Sequence, residues 1–390
     1  MTDDRLRVGF IPLTDAAALT IAVDKGFTAD EGLAVDLVRE VSWSNVRDKL
    51  NVGVFDAAHL LAPVVVASSL GIGHVKVPLL APFMLGLNGN AITVSPNLHD
   101  ALAAAADGDL GDPNNSARAL ARVVADRRGR RDQPLTFGMT FPFSTHNYQL
   151  RLWMAAGGVD PDEDVRLVVL PPPYMVDSLA TRQVDGFCVG APWNSLAVEL
   201  GIGRVLHFGC EIIARAPEKA LAVRAAWAAN RADALQRLLR AVGRAAAFIN
   251  DPTNLDEVAA LLAAPHRLGV APELVRSTIE GRLRTTLGEP LRIVPGYMLI
   301  GRDGAARPEP VHAAWLYAQM VRWQQSSLSA ELLATAKACF RPQPYDAVFG
   351  TAIVPPNIPV DRIGAFSGPP FDADNISSDV AAWKTLRRPS

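Results

Sequence analysis

One order of apolar segments occurs twice in this chain of 390 residues, and the repetition constrains the fold more than any other feature. In the first copy, apolar runs at 5–13 and 32–40 are each followed by a segment whose apolar residues have helical spacing. In the second copy, LTFGMTF and VRLVVLPPP are followed by the helical segments STHNYQLRLWMAAGG and YMVDSLATRQ. Because such alternation is typical of parallel βαβ units, the two copies predict an α/β protein with two lobes.

Small polar residues and glycines mark the expected helix ends. Asp15 and Ser42 each precede a helical segment, and their side chains are expected to cap it by accepting a bond from a free backbone N–H. The pair Gly157–Gly158 follows the last periodic residue of STHNYQLRLWMAA and is expected to end that helix.

The C-terminal part of the chain has a different pattern. From about residue 225 the sequence consists of amphipathic helical segments such as PVHAAWLYAQMVRWQQ. We therefore predict that lobe 1 comprises residues 1–95 and 205–390, including a helical C-terminal region, and that lobe 2 comprises residues 96–204. The Pro- and Gly-rich residues 354–378 are expected to form a surface wrap or a partly disordered arm.

The composition argues against several classes of function. The formal net charge is −2, and the Arg-rich segment at 127–131 is expected to be a solvated helix face, so non-specific nucleic-acid binding is disfavoured. Cys188, Cys210 and Cys339 are too far apart in sequence for metal-ligand spacing and are expected to be free thiols. The first residues lack the pattern of a signal peptide, and no apolar segment is long enough to span a bilayer. If the termini are native, a cytoplasmic protein is expected.

Motifs of catalysis are absent from the sequence, and we expect a binding protein without enzymatic activity, cofactor or metal. The glycines at 71–73 and 201–203 lack the third glycine of a dinucleotide loop. His146 follows two hydroxyl residues at a helix start, where free N–H groups favour an anion. Trp43 follows a cap, and Lys219 lies beside an apolar run. Each of these three residues is also compatible with ordinary capping, packing or surface roles.

The topology predicts where a ligand would bind. In open α/β sheets, ligands bind outside the carboxyl ends of the strands, where helices begin. Trp43, His59, His146 and Trp193 all follow or end apolar runs. We therefore expect them at that edge of their lobes, where a cleft between the lobes would gather them.

Several separated motifs, in order, resemble a known family. VGFIPLTDAAALTIAVDKGF, SWSNVRDKLNVGVFDAAHLLAP, LNGNAITVS, STHNYQLRLWMAAGGVDPDEDV, GAPWN and PEKALAV are similar to the nitrate/bicarbonate-binding (NrtA/CmpA) family of type II solute-binding proteins. The similarity covers most of the first 225 residues and continues more loosely to about residue 350. It implies an α/β, two-lobed periplasmic-binding-protein-like type II fold with a helical C-terminal extension.

The resemblance also implies the ligand-binding residues. Members of the family that bind nitrate hold it with a tryptophan, an amide, a histidine and a lysine. These residues correspond here to Trp43, to Asn88 or Asn90, to His146 and to Lys219. The transporter members carry a glutamine at the amide position. They also carry a glutamine–tryptophan pair where this chain has His59 and Leu60, so His59 is a further candidate for the pocket wall.

Nitrate matches these residues chemically. It is a flat anion that needs donors around its rim, a positive charge and apolar faces, and burying it without such partners is costly. Bicarbonate is the rival ligand, because it is also flat and singly charged. It carries a proton, however, and the sequence places no acceptor for it.

Two cellular roles follow from the resemblance. The absence of a leader favours the cytoplasmic NasS-type nitrate/nitrite sensors, which hold an RNA-binding antiterminator of the ANTAR class inactive and release it when the anion binds. The alternative is the extracytoplasmic solute-binding subunit of a nitrate/sulfonate-type ABC transporter. An enzyme of the thiamin-pyrimidine synthase kind shares the fold but is expected to have more cysteine and histidine at its site.

Overall fold

The computed structural model describes residues 5–350, 363–368, 371–377 and 380. The strands are β1 (Arg5–Phe10), β2 (Ala34–Arg39), β3 (Ala57–Leu61), β4 (Leu79–Asn88), β5 (Asn90–Val94), β6 (Thr136–Met139), β7 (Arg166–Val169), β8 (Gly186–Gly190), β9 (Arg204–Phe208), β10 (Ile213–Ala214), β11 (Pro217–Arg224), β12 (Arg282–Leu283), β13 (Arg292–Ile293), β14 (Met298–Leu299) and β15 (Gly364–Ala365).

The helices, numbered in the same way, comprise those of the two lobes and those of the C-terminal region. They are α1 (Ala17–Asp24), α2 (Phe27–Asp30), α3 (Trp43–Asn51), α4 (Ala62–Leu70), α5 (Pro96–Ala105), α6 (Pro113–Gly129), α7 (Thr145–Ala156), α8 (Met175–Ala180), α9 (Trp193–Glu199), α10 (Gly209–Ile212), α11 (Ala225–Asn230), α12 (Ala232–Asn250), α13 (Leu255–Ala263), α14 (Pro272–Glu280), α15 (Pro310–Arg322), α16 (Ala330–Cys339) and α17 (Pro342–Phe349). Among the described residues, none of these helices is long and apolar enough to cross a membrane.

The chain divides into two compact units. The first unit contains the described residues of 1–87, 217–280 and 298–362, and the second contains those of 88–216, 281–297 and 363–390. Each unit has its own central sheet.

The sheet of the first unit has the strand order β14-β4-β11-β3-β1-β2. The early strands β1, β2 and β3 run parallel, and helices connect them as the sequence predicts. β11 returns much later in the chain and inserts antiparallel between β3 and β4. All residues of β3 and nearly all of β11 are buried, which explains why both read as continuous apolar runs.

The sheet of the second unit repeats this plan with the order β7-β6-β8-β5-β9. β6 is parallel to β7 and β8, whereas β5 is antiparallel to β8 and β9. Each unit therefore combines a parallel βαβ core with inserted antiparallel strands, and the doubled α/β pattern is confirmed.

The structure shifts the expected lobe boundaries. The sequence predicts that residues 88–95 and 205–216 belong to lobe 1, but β5 and most of β9 lie in these ranges and pair with each other in the second sheet. Residues 281–297, which contain the hairpin of β12 and β13, also belong to the second unit. Strand pairing between residues more than a hundred positions apart decides the boundary, and a linear pattern does not show it.

The helical C-terminal region is confirmed by α11–α17. In the first unit, α12 packs on α1, and α16 packs on α4. The predicted surface wrap at 354–378 lies largely outside the described residues. Cys188, Cys210 and Cys339 are free cysteines, as predicted.

Candidate functional site

Four elements of the first unit bring ionisable and aromatic side chains together. β11 carries Lys219, which faces Leu61 of β3 in the strand register. His59 lies two residues earlier on β3. Asp15 lies on the 3-10 turn that follows β1, and Trp43 is the first residue of α3. We call Asp15, Trp43, His59, Glu218 and Lys219 the Lys219 cluster.

Lys219 is a buried lysine with two carboxylate partners. Its ammonium group lies 2.9 Å from Oδ2 of Asp15 and 2.6 Å from Oε1 of Glu218. All three side chains are completely shielded from solvent. A buried charge needs such partners, because leaving it unpaired in a low-dielectric interior is strongly unfavourable.

His59 extends the same network. Its Nε2 lies 2.8 Å from Oδ1 of Asp15, and the backbone N–H of Ile11 points at Nδ1 from 3.5 Å. Nδ1 is therefore the accepting nitrogen, and Nε2 carries the proton that is donated to Asp15. Asp15 thus joins the lysine to a neutral histidine.

Trp43 covers the cluster. Its ring lies 5.3 Å from the ammonium of Lys219 and 5.4 Å from the ring of His59. The first contact is in the range of a cation–π interaction. The indole Nε1 is buried but has no hydrogen-bond partner among the described residues. Because buried N–H groups are almost always paired, this donor is available for a bound acceptor.

The pKa values are consistent with one fixed set of charges. Burial alone would raise the pKa of Asp15, but Lys219 and His59 hold it low, at about 2. Burial would lower the pKa of Lys219, yet Asp15 and Glu218 raise it above its usual value. Burial lowers the pKa of His59 in spite of Asp15. At neutral pH the carboxylate and the ammonium are charged and the imidazole is neutral.

Sequence reasoning missed both acidic members of the cluster. Asp15 was expected to cap a helix, but its side chain caps nothing, and α1 begins two residues later without a side-chain cap. The available signal in the sequence was the position of Asp15 as a charged residue within a largely apolar stretch. Glu218 directly precedes Lys219 in the buried strand PEKALAV, and two adjacent charges in such a strand indicate a buried pair.

His146 lies in the second unit, at the start of α7. It is fully buried, and its Nδ1 is hydrogen-bonded to Oγ1 of Thr140 at 3.0 Å. The helix is capped by Ser144, whose Oγ accepts from the N–H of Asn147 at 3.1 Å and donates to the carbonyl of Phe141 at 2.6 Å. Capping and the buried imidazole thus occur together at this helix end.

The two candidate asparagines have different surroundings in the second unit. The amide of Asn90 donates to Oγ1 of Thr145 at 3.3 Å and to Oε1 of Gln149 at 3.1 Å. Asn88 has φ 62°, its amide donates to the carbonyl of Gly296 at 2.8 Å, and its Oδ1 accepts from the N–H of Ala216 at 2.7 Å. Asn88 therefore fastens the backbone where β4 gives way to β5.

The structure thus places the predicted residues in two groups. Trp43, His59 and Lys219 come together in the first unit, and Asn88, Asn90 and His146 lie in the second. Among the described residues, no group of three or more His, Cys, Asp or Glu side chains is arranged to hold a metal ion.

The fold and the buried charged site define a class of protein. The chain has the two-lobed periplasmic-binding-protein-like fold of type II, as predicted, and this fold recurs in solute-binding proteins of known structure. Within that class the chain belongs to the NMT1-like family, whose family model matches residues 2–263.

Three relatives illustrate the similarity. The nitrate/nitrite binding protein NrtA of Nostoc sp. (strain PCC 7120) is 32% identical over 82% of this chain and 70% of its own length. The crystal structure of the periplasmic nitrate-binding protein NrtA from Synechocystis PCC 6803 has a TM-score of 0.87, 27% identity, and coverage of 98% of this chain and 99% of that chain. The bicarbonate transport ATP-binding protein CmpC of Synechococcus elongatus (strain ATCC 33912) is 33% identical over 82% of this chain but only 45% of its own length.

Proposed function

We propose that this protein is a solute-binding protein for nitrate or nitrite, and that Trp43 and Lys219 hold the anion. The observation that carries the proposal is the indole N–H of Trp43, which lacks a partner in the described part of the chain, beside the buried ammonium of Lys219. One donor, one positive charge and an aromatic face within a few ångströms match the needs of a flat oxyanion. The relatives named as nitrate-binding proteins support the same ligand. These relatives are binding and transport proteins, which supports a binding rather than a catalytic role.

Calorimetric titration of the full chain with nitrate and nitrite tests the proposal. We expect binding to the wild-type protein and a Trp43→Phe variant with about tenfold to a hundredfold weaker affinity, because a hydrogen bond to a charged group contributes about 1.5–3 kcal/mol. The variant keeps an aromatic ring near Lys219 but removes the N–H group together with part of the indole ring. Absence of binding to the wild-type protein would overturn the proposal.

Trp227→Phe is the matched control for this titration. Trp227 lies in the same unit, but its Nε1 already donates to Oδ1 of Asp56 at 3.0 Å. Its replacement is expected to lower stability slightly and to leave nitrate affinity unchanged. Equal losses of affinity in both variants would show that the effect of Trp43→Phe comes from unfolding and not from the lost donor.

Bicarbonate is a second candidate ligand, and one structural observation favours it. Its hydroxyl group requires an acceptor, and Asp15 and Glu218 supply buried carboxylates next to Lys219. The relative named as a bicarbonate transport ATP-binding protein is similar to this chain over 82% of this chain and 45% of its own length. Titration with bicarbonate under the same conditions ranks the two ligands.

Two cellular settings are proposed for this activity. The relatives named in nitrate and bicarbonate transport support a solute-binding subunit of an anion importer. The cytoplasmic sensor that releases an ANTAR-type RNA-binding antiterminator stays a prediction from the sequence resemblance. Fractionation of cells that express the full gene separates the two. Recovery outside the cytoplasm supports the importer, and cytoplasmic co-purification with an RNA-binding protein that nitrate releases supports the sensor.

His146 and the alternative amides Asn88 and Asn90 stay predicted ligands from the resemblance. A His146→Asn variant tests the histidine, because asparagine can still bond to Thr140 but has no ring. Weaker nitrate binding at unchanged melting temperature would support a direct role. Unchanged affinity would argue against a direct contact between the histidine and the anion.

A further inference from the structure

We propose that the second unit carries a further binding site, which takes an organic acid with an apolar body. The site is a cavity of about 830 Å³ whose lining residues all belong to that unit. This volume is in the range of small-molecule sites in proteins. We call it the α5–α6 cavity, because both helices line it.

The cavity lies at one edge of the second sheet. Leu135 directly precedes β6 and Val184 comes just before β8, and both line the cavity together with Ser95, which follows β5. His146 follows the other end of β6, and Asn90 is the first residue of β5. The cavity is therefore at the opposite edge of the sheet from these two predicted nitrate ligands, and its ligand is a different one.

The walls of the cavity are largely apolar. Three small side chains of α5, one or more helical turns after Leu98, leave the space open, and they are Ala101, Ala104 and Ala105. Leu135, Leu179 and Val184 close it from the side of the sheet. Transfer of an apolar group from water into such a space is favourable, so the body of the ligand is expected to be apolar.

Four arginines also line the cavity, and they are Arg122, Arg127, Arg130 and Arg182. Two of them are already neutralised by carboxylates. Arg122 pairs with Asp107, and Arg130 pairs with Asp126 at 2.9 Å. The other two have no carboxylate partner in the described part of the chain.

The two remaining guanidinium groups are available to an anion. Arg127 donates from Nε and Nη2 to the carbonyl of Gln133, at 3.2 and 2.8 Å, which fixes the group and leaves Nη1 for a ligand. The guanidinium of Arg182 is bonded to none of the described residues. Asp185, the other aspartate among the described lining residues, accepts the N–H of Thr136 at 2.8 Å. Two cations thus face one carboxylate, and guanidinium groups bind carboxylates through paired hydrogen bonds.

The backbone at Arg182 supports a role for its side chain. Arg182 has φ 59°, in the left-handed region, and it follows α8 at the position where helices commonly end in glycine. Its N–H bonds to the carbonyl of Leu179, and that of Gln183 bonds to the carbonyl of Ser178. Glycine would satisfy the same two bonds without strain. A strained residue with a charged side chain at a cavity indicates that the side chain has a function there.

Calorimetric titration of the full chain with 2-naphthoate and with octanoate tests the proposal. Naphthalene-2-methanol serves as the probe without a charge and acetate as the probe without an apolar body. We expect saturable binding of at least one of the two acids, and about tenfold or more weaker binding of both comparison probes. Absence of binding by both acids, or equal binding of 2-naphthoate and the neutral alcohol, would overturn the proposal.

Two arginine variants locate the charged part of the site. Arg127→Gln and Arg182→Gly should each weaken binding of the acid about tenfold. Arg182→Gly should not lower the melting temperature, because glycine suits the backbone there. Arg118→Gln is the matched control, since Arg118 is an exposed arginine of α6 outside the cavity. An equal effect of all three variants would refute the site.

A filling variant locates the apolar part. Ala104→Leu puts a larger side chain into the cavity and should abolish binding of the acid, whereas Ala103→Leu, on the same helix but outside the lining, should leave it unchanged. Unchanged binding in Ala104→Leu would place the acid elsewhere and refute the site. Nitrate titration of these variants should match the wild-type protein, so failure of this proposal and failure of the proposed function are separate results.

Discussion

At the scale of the residue, Lys219 is as much a structural cation as a ligand. Replacing it with methionine leaves Asp15 and Glu218 buried without their shared partner, and such a break costs about 3–5 kcal/mol. We expect Lys219→Met to reduce the free energy of unfolding by that amount in urea denaturation. Lys25→Met is the control, because Lys25 forms a partly exposed pair with Glu257 and should cost less than about 1 kcal/mol. Similar losses in both variants would contradict the structural role.

The same residues show what the sequence reveals about a site. Trp43, His59 and Lys219 could be chosen from motifs and from their positions at strand and helix ends. Asp15 and Glu218 were missed. Asp15 contacts a lysine that lies more than two hundred residues away in sequence, and the pairing of Glu218 with Lys219 is evident only once the burial of their strand is known. The net charge of a site is a sum over such contacts, and it becomes visible only when the fold is known.

At the scale of the element, the two glycines that follow α7 are needed for different reasons, one for close helix packing and the other for its backbone conformation. A Cβ on Gly157 would lie 2.0 Å from the carbonyl oxygen of Ala117 on α6, whereas Gly158 has open space but φ +84°. Gly157→Ala should therefore force α6 and α7 apart and cost about 1–3 kcal/mol or more. Gly158→Ala should cost only the left-handed backbone strain, about 1 kcal/mol. Thermal denaturation of both variants compares them, and an equal effect would rule out the close helix contact.

The capping serines allow a second comparison between elements. Ser144 and Ser42 cap α7 and α3 in the same way, but Ser144 is fully buried and Ser42 is partly exposed. Loss of a cap costs about 0.5–2 kcal/mol, and removal of the buried hydroxyl also removes its hydrogen bond to the carbonyl of Phe141. Ser144→Ala is expected at the upper end of that range and Ser42→Ala at the lower end, measured by urea denaturation. The reverse order would show that water replaces the buried hydroxyl without cost.

Most helices and strands of this protein follow from local pattern. The segments at 5–13, 43–53 and 145–156 fold as their periodicity predicts, and Ser42 caps its helix as expected. Asp15 does not, because Lys219 and His59 bind its carboxylate more strongly than a helix end would. Local propensity therefore predicts an element well where no distant charge competes for its side chains.

At the scale of the whole molecule, the sequence predicts the architecture but not the division of the chain. The doubled βαβ order fixes the two α/β units. The assignment of β5 and β9 to the second sheet comes from pairing between Asn90–Val94 and Arg204–Phe208, which share no local signal. Antiparallel insertion of late strands into early sheets is a long-range property, and the boundary error at 88–95 and 205–216 is its direct consequence.

Acid sensitivity is the property of the whole molecule that these buried groups predict. Burial lowers the pKa of His207 to about 3, and the pKa of His59 is also lowered. In the unfolded chain these histidines bind protons as the pH falls through about 6.5, whereas in the folded protein they resist. Stability is therefore complete above that value and declines below it, by about 2 kcal/mol at pH 5 from His207 alone.

Calorimetry of the nitrate-free protein at pH 7, 6 and 5 should show a melting temperature that falls by several degrees. His207→Gln should make the decline shallower. A melting temperature that rises toward pH 5 would contradict the assignment.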